Sequence, residues 1–180
     1  MDIPTRFKIY LFWKNLFSKK NDSPPIKITK EGSGVRSVLF FLPEKKEDAK
    51  VINYFVKVEN PLPNYEVGII CSDKSKSFYP HIDNVSLFTY GDNDLNYFDT
   101  IKSESLLNEI KVKNYDAIVD LNTNFCAASS MLFFDLSAPL KIGFDSIINR
   151  KIYTITLEQK ENTFLESYFL RILSLLGVKF

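Results

Sequence analysis

The sequence predicts an α/β domain, a single open and mostly parallel sheet with helices on both faces, preceded by an amphipathic N-terminal helix. Three observations predict it. From Val35 onward, short apolar runs alternate with longer amphipathic segments, the order that βαβ units produce. Turn-forming and chain-breaking residues between Asn21 and Gly34 separate that pattern from a helical stretch in front of it. At 180 residues the chain has the length of roughly one domain.

Taken in order, Thr5 to Lys20 read as a helix. On a helical wheel Ile9, Tyr10, Phe12, Trp13, Leu16 and Phe17 fall on one side, with Lys8, Asn15, Ser18 and Lys19 mostly opposite. The stretch from Asn21-Asp22-Ser23-Pro24-Pro25 to Glu31-Gly32-Ser33-Gly34 has linker composition. The expected organisation is therefore a helix over 1–20, a linker over 21–34 and an α/β domain over 35–180. In that domain Val35–Leu42 is the first strand, Glu47–Val58 a helix, Glu66–Cys71 the second strand and Val85–Tyr90 a weaker third. Ser103–Lys113 follows as a helix, Tyr115–Leu121 as a buried strand and Phe125–Leu136 as a helix. Lys141–Phe144 is a short strand, Ile152–Leu157 an edge strand and Thr163–Leu176 the closing helix. The alternation is Rossmann-like.

Composition narrows the function classes. Against 23 basic residues stand 22 acidic ones, so the chain lacks the basic excess of a general nucleic-acid binder. Cys71 and Cys126 are too few for a disulfide framework, and with His81 as the single histidine no cysteine-rich zinc site is expected. A reducing compartment fits, and no cofactor or metal is expected. Lys8, Lys14, Lys19 and Lys20 interrupt the N-terminal apolar residues, which therefore never reach the roughly 18 residues a membrane span needs. The abundant Phe and Tyr sit mostly inside apolar runs and are read as core.

One region is more specific. Asn114-Tyr115-Asp116-Ala117-Ile118-Val119-Asp120-Leu121-Asn122-Thr123-Asn124-Phe125-Cys126-Ala127-Ala128, followed by Leu136-Ser137-Ala138-Pro139-Leu140-Lys141-Ile142-Gly143-Phe144, resembles the family 9 glycosyltransferases, the lipopolysaccharide heptosyltransferase group. In that family a strand ending in Asp-Leu enters a polar turn and a helix with Ser-Ala, then a Gly-Ala-Pro turn and an Ile-Gly-Phe strand. The ending Leu175-Leu176-Gly177-Val178 is similar to the family's segment before its second domain. The resemblance implies that this chain is the acceptor-side half of a two-domain glycosyltransferase fold. It also implies a role in lipopolysaccharide or surface-glycan assembly; the expected setting is cytoplasmic, peripheral at the inner membrane where the N-terminal helix makes that contact.

The same resemblance shows what has changed. Family members follow the first strand with a Gly-Asp turn whose carboxylate is the general base; here the turn is Pro43-Glu44-Lys45-Lys46-Glu47-Asp48. After Asp-Leu the family has His or Gln, then Gly, then Lys or Arg three residues on; here those places hold Asn122, Thr123 and Cys126. Donor nucleotide-sugars bind mainly to the family's second domain, so nucleotide-sugar binding is not expected of this chain. The expected site is thus a vestigial cleft of Glu44, Asp120, Asn122, Asn124, Cys126 and Asp145, with no catalytic residue. Asp120 and Asp145 read either as a carboxylate pair for a cation or sugar hydroxyls, or as turn-forming acids. Asn122-Thr123-Asn124 read as hydrogen-bonders to a sugar or as helix N-caps. Cys126 reads as a small buried helix residue, and His81 is given no role.

The lysine-flanked aromatic face of the first helix suggests contact with a protein partner or the cytoplasmic membrane surface through Lys8, Ile9, Phe12, Trp13, Leu16, Phe17 and Lys19, or packing on its own domain. Two functions follow: a non-catalytic binding or scaffold protein derived from a glycosyltransferase, or a glycosyltransferase component that needs a separate donor-binding chain.

Overall fold

Ser37–Phe41 form strand β1 at the middle of the sheet, where a strand with Val, Leu and two Phe in succession can bury both of its faces. In this computed structural model, which describes residues 4–17, 28, 34–55, 65–79, 85–160 and 164–177, β1 pairs in parallel with β2 (Glu66–Ser72) and with β4 (Ala117–Asp120). Strand β3 (Ser86–Tyr90) adds outside β2. On the other side β5 (Leu140–Phe144) pairs with β4 and β6 (Ile155–Leu157) with β5. Among the described residues the sheet is entirely parallel, in the order β3-β2-β1-β4-β5-β6. The chain runs outward from β1 to β3 and then returns to start again at β4, so the order reverses between β1 and β4.

The helices are α1 (Thr5–Phe17), α2 (Lys46–Phe55), α3 (Glu104–Val112), α4 (Ala127–Asp135), the one-turn α5 (Asn149–Ile152) and α6 (Leu165–Leu176). Strand side chains alternate between the two faces, and the two cores follow that alternation. Val38, Phe40, Ile69, Val119 and Ile142 lie in one core with Ala49 and Ile52 of α2 and Tyr168, Phe169, Ile172 and Leu176 of α6. Leu39, Phe41, Ile70 and Ile118 lie in the other with Leu106 and Ile110 of α3 and Leu132 and Phe133 of α4. Helix α6 stops at Gly177, whose φ of 78° is the left-handed conformation glycine adopts without penalty.

Every strand and helix expected on described residues is present, with ends shifted by local chemistry. The edge strand starts at Ile155 because Ile152 ends the one-turn α5 and Tyr153 caps it, its N–H donating to Asn149 O at 2.7 Å. Asn149 anchors that turn, donating through Nδ2 to Phe144 O at 2.8 Å and through its N–H to Ser146 Oγ at 3.0 Å. Helix α4 starts at Ala127, since Cys126 is extended (φ −122°, ψ 119°) and serves as the N-cap residue. This corrects the reading of Cys126 as a small buried residue within the helix, since it is half-buried and stands just before the first helical residue, and of Asn122–Asn124 as N-caps. His81, Lys19 and the proposed linker other than residues 28 and 34 lie outside the described residues.

Helix α1 also departs from expectation. It docks on the domain, but with Phe7 and Leu11, which join Met131 and Ile148 in a third apolar cluster. Phe7 meets the Phe125 ring edge-on at 4.9 Å, and Tyr10 stacks on Phe98 at 4.7 Å. Arg6 pairs with Asp99 at 2.6 Å and Lys14 with Asp135 at 2.5 Å. The residues placed together on the apolar side by the wheel, Ile9, Phe12 and Trp13, face solvent. The wheel misled because α1 is apolar on two opposite sides.

Lys141, on β5, is buried, with its Nζ donating to Phe133 O at 2.6 Å and Leu136 O at 2.7 Å. These are carbonyls at the end of α4, which lack intrahelical partners. Burial lowers the Lys141 pKa, opposed by Asp135 nearby. Lys141→Met is expected to leave both carbonyls orphaned and to cost about 1–3 kcal/mol, measured as a lower urea midpoint at unchanged m-value.

Candidate functional site

In open parallel sheets the ligand crevice lies outside the carboxyl ends of the strands where the order reverses, here between β1 and β4. Two hollows open at this edge. The larger, of about 470 Å³, lies among the loop after β1, the loop after β4 and the segment after β6. Lys45, Asp48, Thr123 and Asn124 line it from the first two; Gln159, Lys160, Leu165 and Tyr168 line it from the third. The Lys160 N–H donates to the Tyr168 hydroxyl at 2.7 Å, which ties that third wall to α6. The smaller hollow, about 260 Å³, includes Glu44, Ser72, Lys74, Tyr90 and Cys126 in its lining.

Asp120, at the end of β4, is sealed within the protein. Its Oδ2 accepts from Ser129 Oγ at 2.6 Å and from the Tyr153 hydroxyl at 2.6 Å. Its Oδ1 accepts from the Asn122 N–H at 3.0 Å and Asn122 Nδ2 at 2.7 Å. Burial raises the Asp120 pKa, and the four hydrogen bonds oppose that rise. Tyr153 is pushed well up by burial and by the neighbouring Asp120. Asp120 is therefore the centre of a buried polar network that shapes the loop after β4.

Asp145 is engaged differently. Arg150 grips it in a two-pronged pair, Nε to Oδ1 at 2.7 Å and a terminal nitrogen to Oδ2 at 2.5 Å. That grip holds the Asp145 carboxyl below its ordinary value. Neither acid offers a cation site, and no cluster of three or more His, Cys, Asp or Glu fit for a metal exists among the described residues.

The other expected residues separate between the two hollows. Glu44 is exposed and accepts from the Tyr90 hydroxyl at 3.0 Å. Cys126 is half-buried beside it, and burial pushes its thiol up to about 11, so it is not a thiolate at neutral pH. Asn124 lines the larger hollow, whereas Asn122 is spent on Asp120. Of the acids in the turn after β1, Glu44 and Glu47 are exposed and Asp48 is buried, in the first turn of α2, where the Thr123 hydroxyl donates to it. Asp48 is thus the turn carboxylate that faces the larger hollow. Gln159, Lys160 and Tyr153 carried no signal in the sequence; they reach this edge from 33 or more residues beyond Asp120 through the parallel crossover.

Fold and site together define a single-sheet, Rossmann-like α/β domain with a polar crevice at its switch point. Solved structures that share this fold include family 9 glycosyltransferases and heptosyltransferases. The E. coli heptosyltransferase WaaC with ADP matches at a TM-score of 0.54 and 11% identity, over 79% of this chain and 48% of that one. WaaC with ADP-2-deoxy-2-fluoro heptose matches at 0.55 and 14% identity, over 79% and 49%. The family 9 glycosyl transferase from Veillonella parvula matches at 0.54 and 15% identity, over 84% and 43%. The likeness is one of fold, and the chain spans just under half the length of each of these structures. No family model and no curated protein matches the sequence.

Proposed function

We propose that this chain is a non-catalytic binding or scaffold domain with the fold of the acceptor-side half of a family 9 glycosyltransferase, using the larger hollow for a polar ligand and α1 as a contact surface. The engagement of the edge acids carries this reading. A general base must present a lone pair to the acceptor hydroxyl at a pKa suited to the task. Asp120 is enclosed by hydroxyl and amide donors, Asp145 is held by Arg150, and Glu44 stands in solvent. The lysines, amides and Tyr168 around the larger hollow suit recognition of a hydroxylated or anionic ligand.

A second reading, a glycosyltransferase component completed by a separate donor-binding chain, is favoured by Asp48. It is buried, lines the larger hollow and lies in the turn where the family resemblance puts the base. Sugar transfer distinguishes the two. In melts of the chain alone with ADP- and UDP-sugars both readings expect no change, and a rise of roughly 5 °C or more, the effect of about 2.7 kcal/mol from a nucleotide-sugar at a hundred times its Kd, would overturn both by placing donor binding on this chain. Sugar transfer by the chain, alone or with a captured donor-binding partner, that drops about 100-fold in Asp48→Asn would overturn the first reading and establish the second.

A further inference from the structure

We infer that the outward face of α1 docks on an anionic lipid bilayer, lying in the plane of the membrane surface. The inference deepens the proposal that α1 is a contact surface and rests on it. Phe7 and Leu11 are buried against the domain at 1% and 7% exposure, while Ile9, Phe12 and Trp13 on the opposite side are 55%, 64% and 58% exposed. A helix apolar on two opposite sides is suited to lie between two apolar surroundings, and the domain supplies one of them.

Charge identifies the other. Between Ile3 and Asn21 the sequence holds Arg6, Lys8, Lys14, Lys19 and Lys20 and no acidic residue, while the rest of the chain carries an acidic excess. Arg6 and Lys14 pair with Asp99 and Asp135 of the domain, which leaves Lys8, among the described residues, as the exposed cation beside the outward face. Lys8 is exposed and, at helical spacing, flanks Phe12. Aromatic and aliphatic side chains bordered by lysine, with tryptophan among them, suit the boundary between lipid headgroups and acyl chains. No helix among the described residues is long and apolar enough to cross a membrane, so contact by α1 is peripheral. The same helix pairs through Arg6 with Asp99 and packs beside Ala127, both of which line the smaller hollow, so docking would hold that hollow close to the membrane surface.

Trp13 is the single tryptophan and reports on this face directly. With the full chain, vesicles of phosphatidylcholine plus phosphatidylglycerol are expected to shift its emission to the blue and to carry the protein into the pellet. Phosphatidylcholine alone is expected to do so far more weakly, and high salt to weaken the effect. Ile9→Glu/Phe12→Glu keeps Trp13, and both positions are exposed, so its circular dichroism and melting are expected to match the parent while vesicle binding falls about tenfold or more. No blue shift and no sedimentation with anionic vesicles would overturn the inference. So would undiminished binding by the double variant, or a blue shift without lipid that grows with protein concentration alongside a dimer in light scattering, which would assign the face to a second copy. The vesicle assay contains no nucleotide-sugar and the melts contain no lipid, so failure here is distinct from failure of the binding-domain reading.

Discussion

Asp120→Ala is expected to lower stability by about 3–4 kcal/mol and the melting temperature by roughly 10 °C. The cause is the set of donors it strands. Ser129 Oγ, the Tyr153 hydroxyl and Asn122 all donate to this carboxylate inside the protein. Asp120→Asn is expected to stay within about 1 kcal/mol of the parent at neutral pH, because its oxygen can keep both bonds from Asn122 while its amide donates to the two hydroxyls. Ser129 already donates to Cys126 O at 3.1 Å, so its proton has an alternative acceptor.

The two proteins differ in their pH response. Burial raises the Asp120 pKa above the roughly 3.9 of an unfolded aspartate, so between those values the folded state binds more protons. The corresponding stability is fully present below about pH 3.9 and is lost as pH rises through the folded value. Asn at this position does not titrate. The parent-minus-variant difference in unfolding free energy, from urea melts at a series of pH values, should therefore fall with rising pH across that window. A flat difference would show that Asp120 is not held in this environment.

Gly143→Ala is expected to cost about 3 kcal/mol or more, through the same network. A Cβ at Gly143 would sit 2.1 Å from Tyr153 Cε2 and 2.6 Å from Cδ2, closer than any tolerated contact. The Tyr153 ring is buried and packs 5.5 Å from the Phe133 ring, so it cannot withdraw without losing that contact and its 2.6 Å bond to Asp120. In a Tyr153→Ala background the cost of Gly143→Ala should shrink, giving a coupling energy of about 1–3 kcal/mol in a double-mutant cycle. Additive effects would show that the clash is relieved elsewhere in β5.

The Ile142-Gly143-Phe144 strand and the Asp120-Leu121 strand end carried the resemblance in the sequence, and the structure supplies a physical reason for both. Gly143 leaves room for Tyr153, and Tyr153 reaches Asp120. Each residue was visible along the chain, but the pairing was not, because Tyr153 lies 33 residues from Asp120 and no spacing rule links them. Asp145 shows the opposite case. Its partner Arg150 is five residues away, near enough in sequence to have suggested that the acid was occupied.

The α/β class, the strand and helix sequence and the parallel sheet were determined by the sequence alone, because hydrophobic periodicity is a local property that survives without knowledge of neighbours. So was the charge pattern of the first helix. The tertiary structure decided which side of that helix is buried, since two apolar stripes compete and the surface of α4 accepts Phe7 and Leu11. It also divided the expected cleft into two hollows, sealed Asp120 away from both and brought Asp48 to face Gln159 and Lys160. Those outcomes depend on contacts between residues far apart in the chain, and burial and hydrogen-bond satisfaction are set by such contacts.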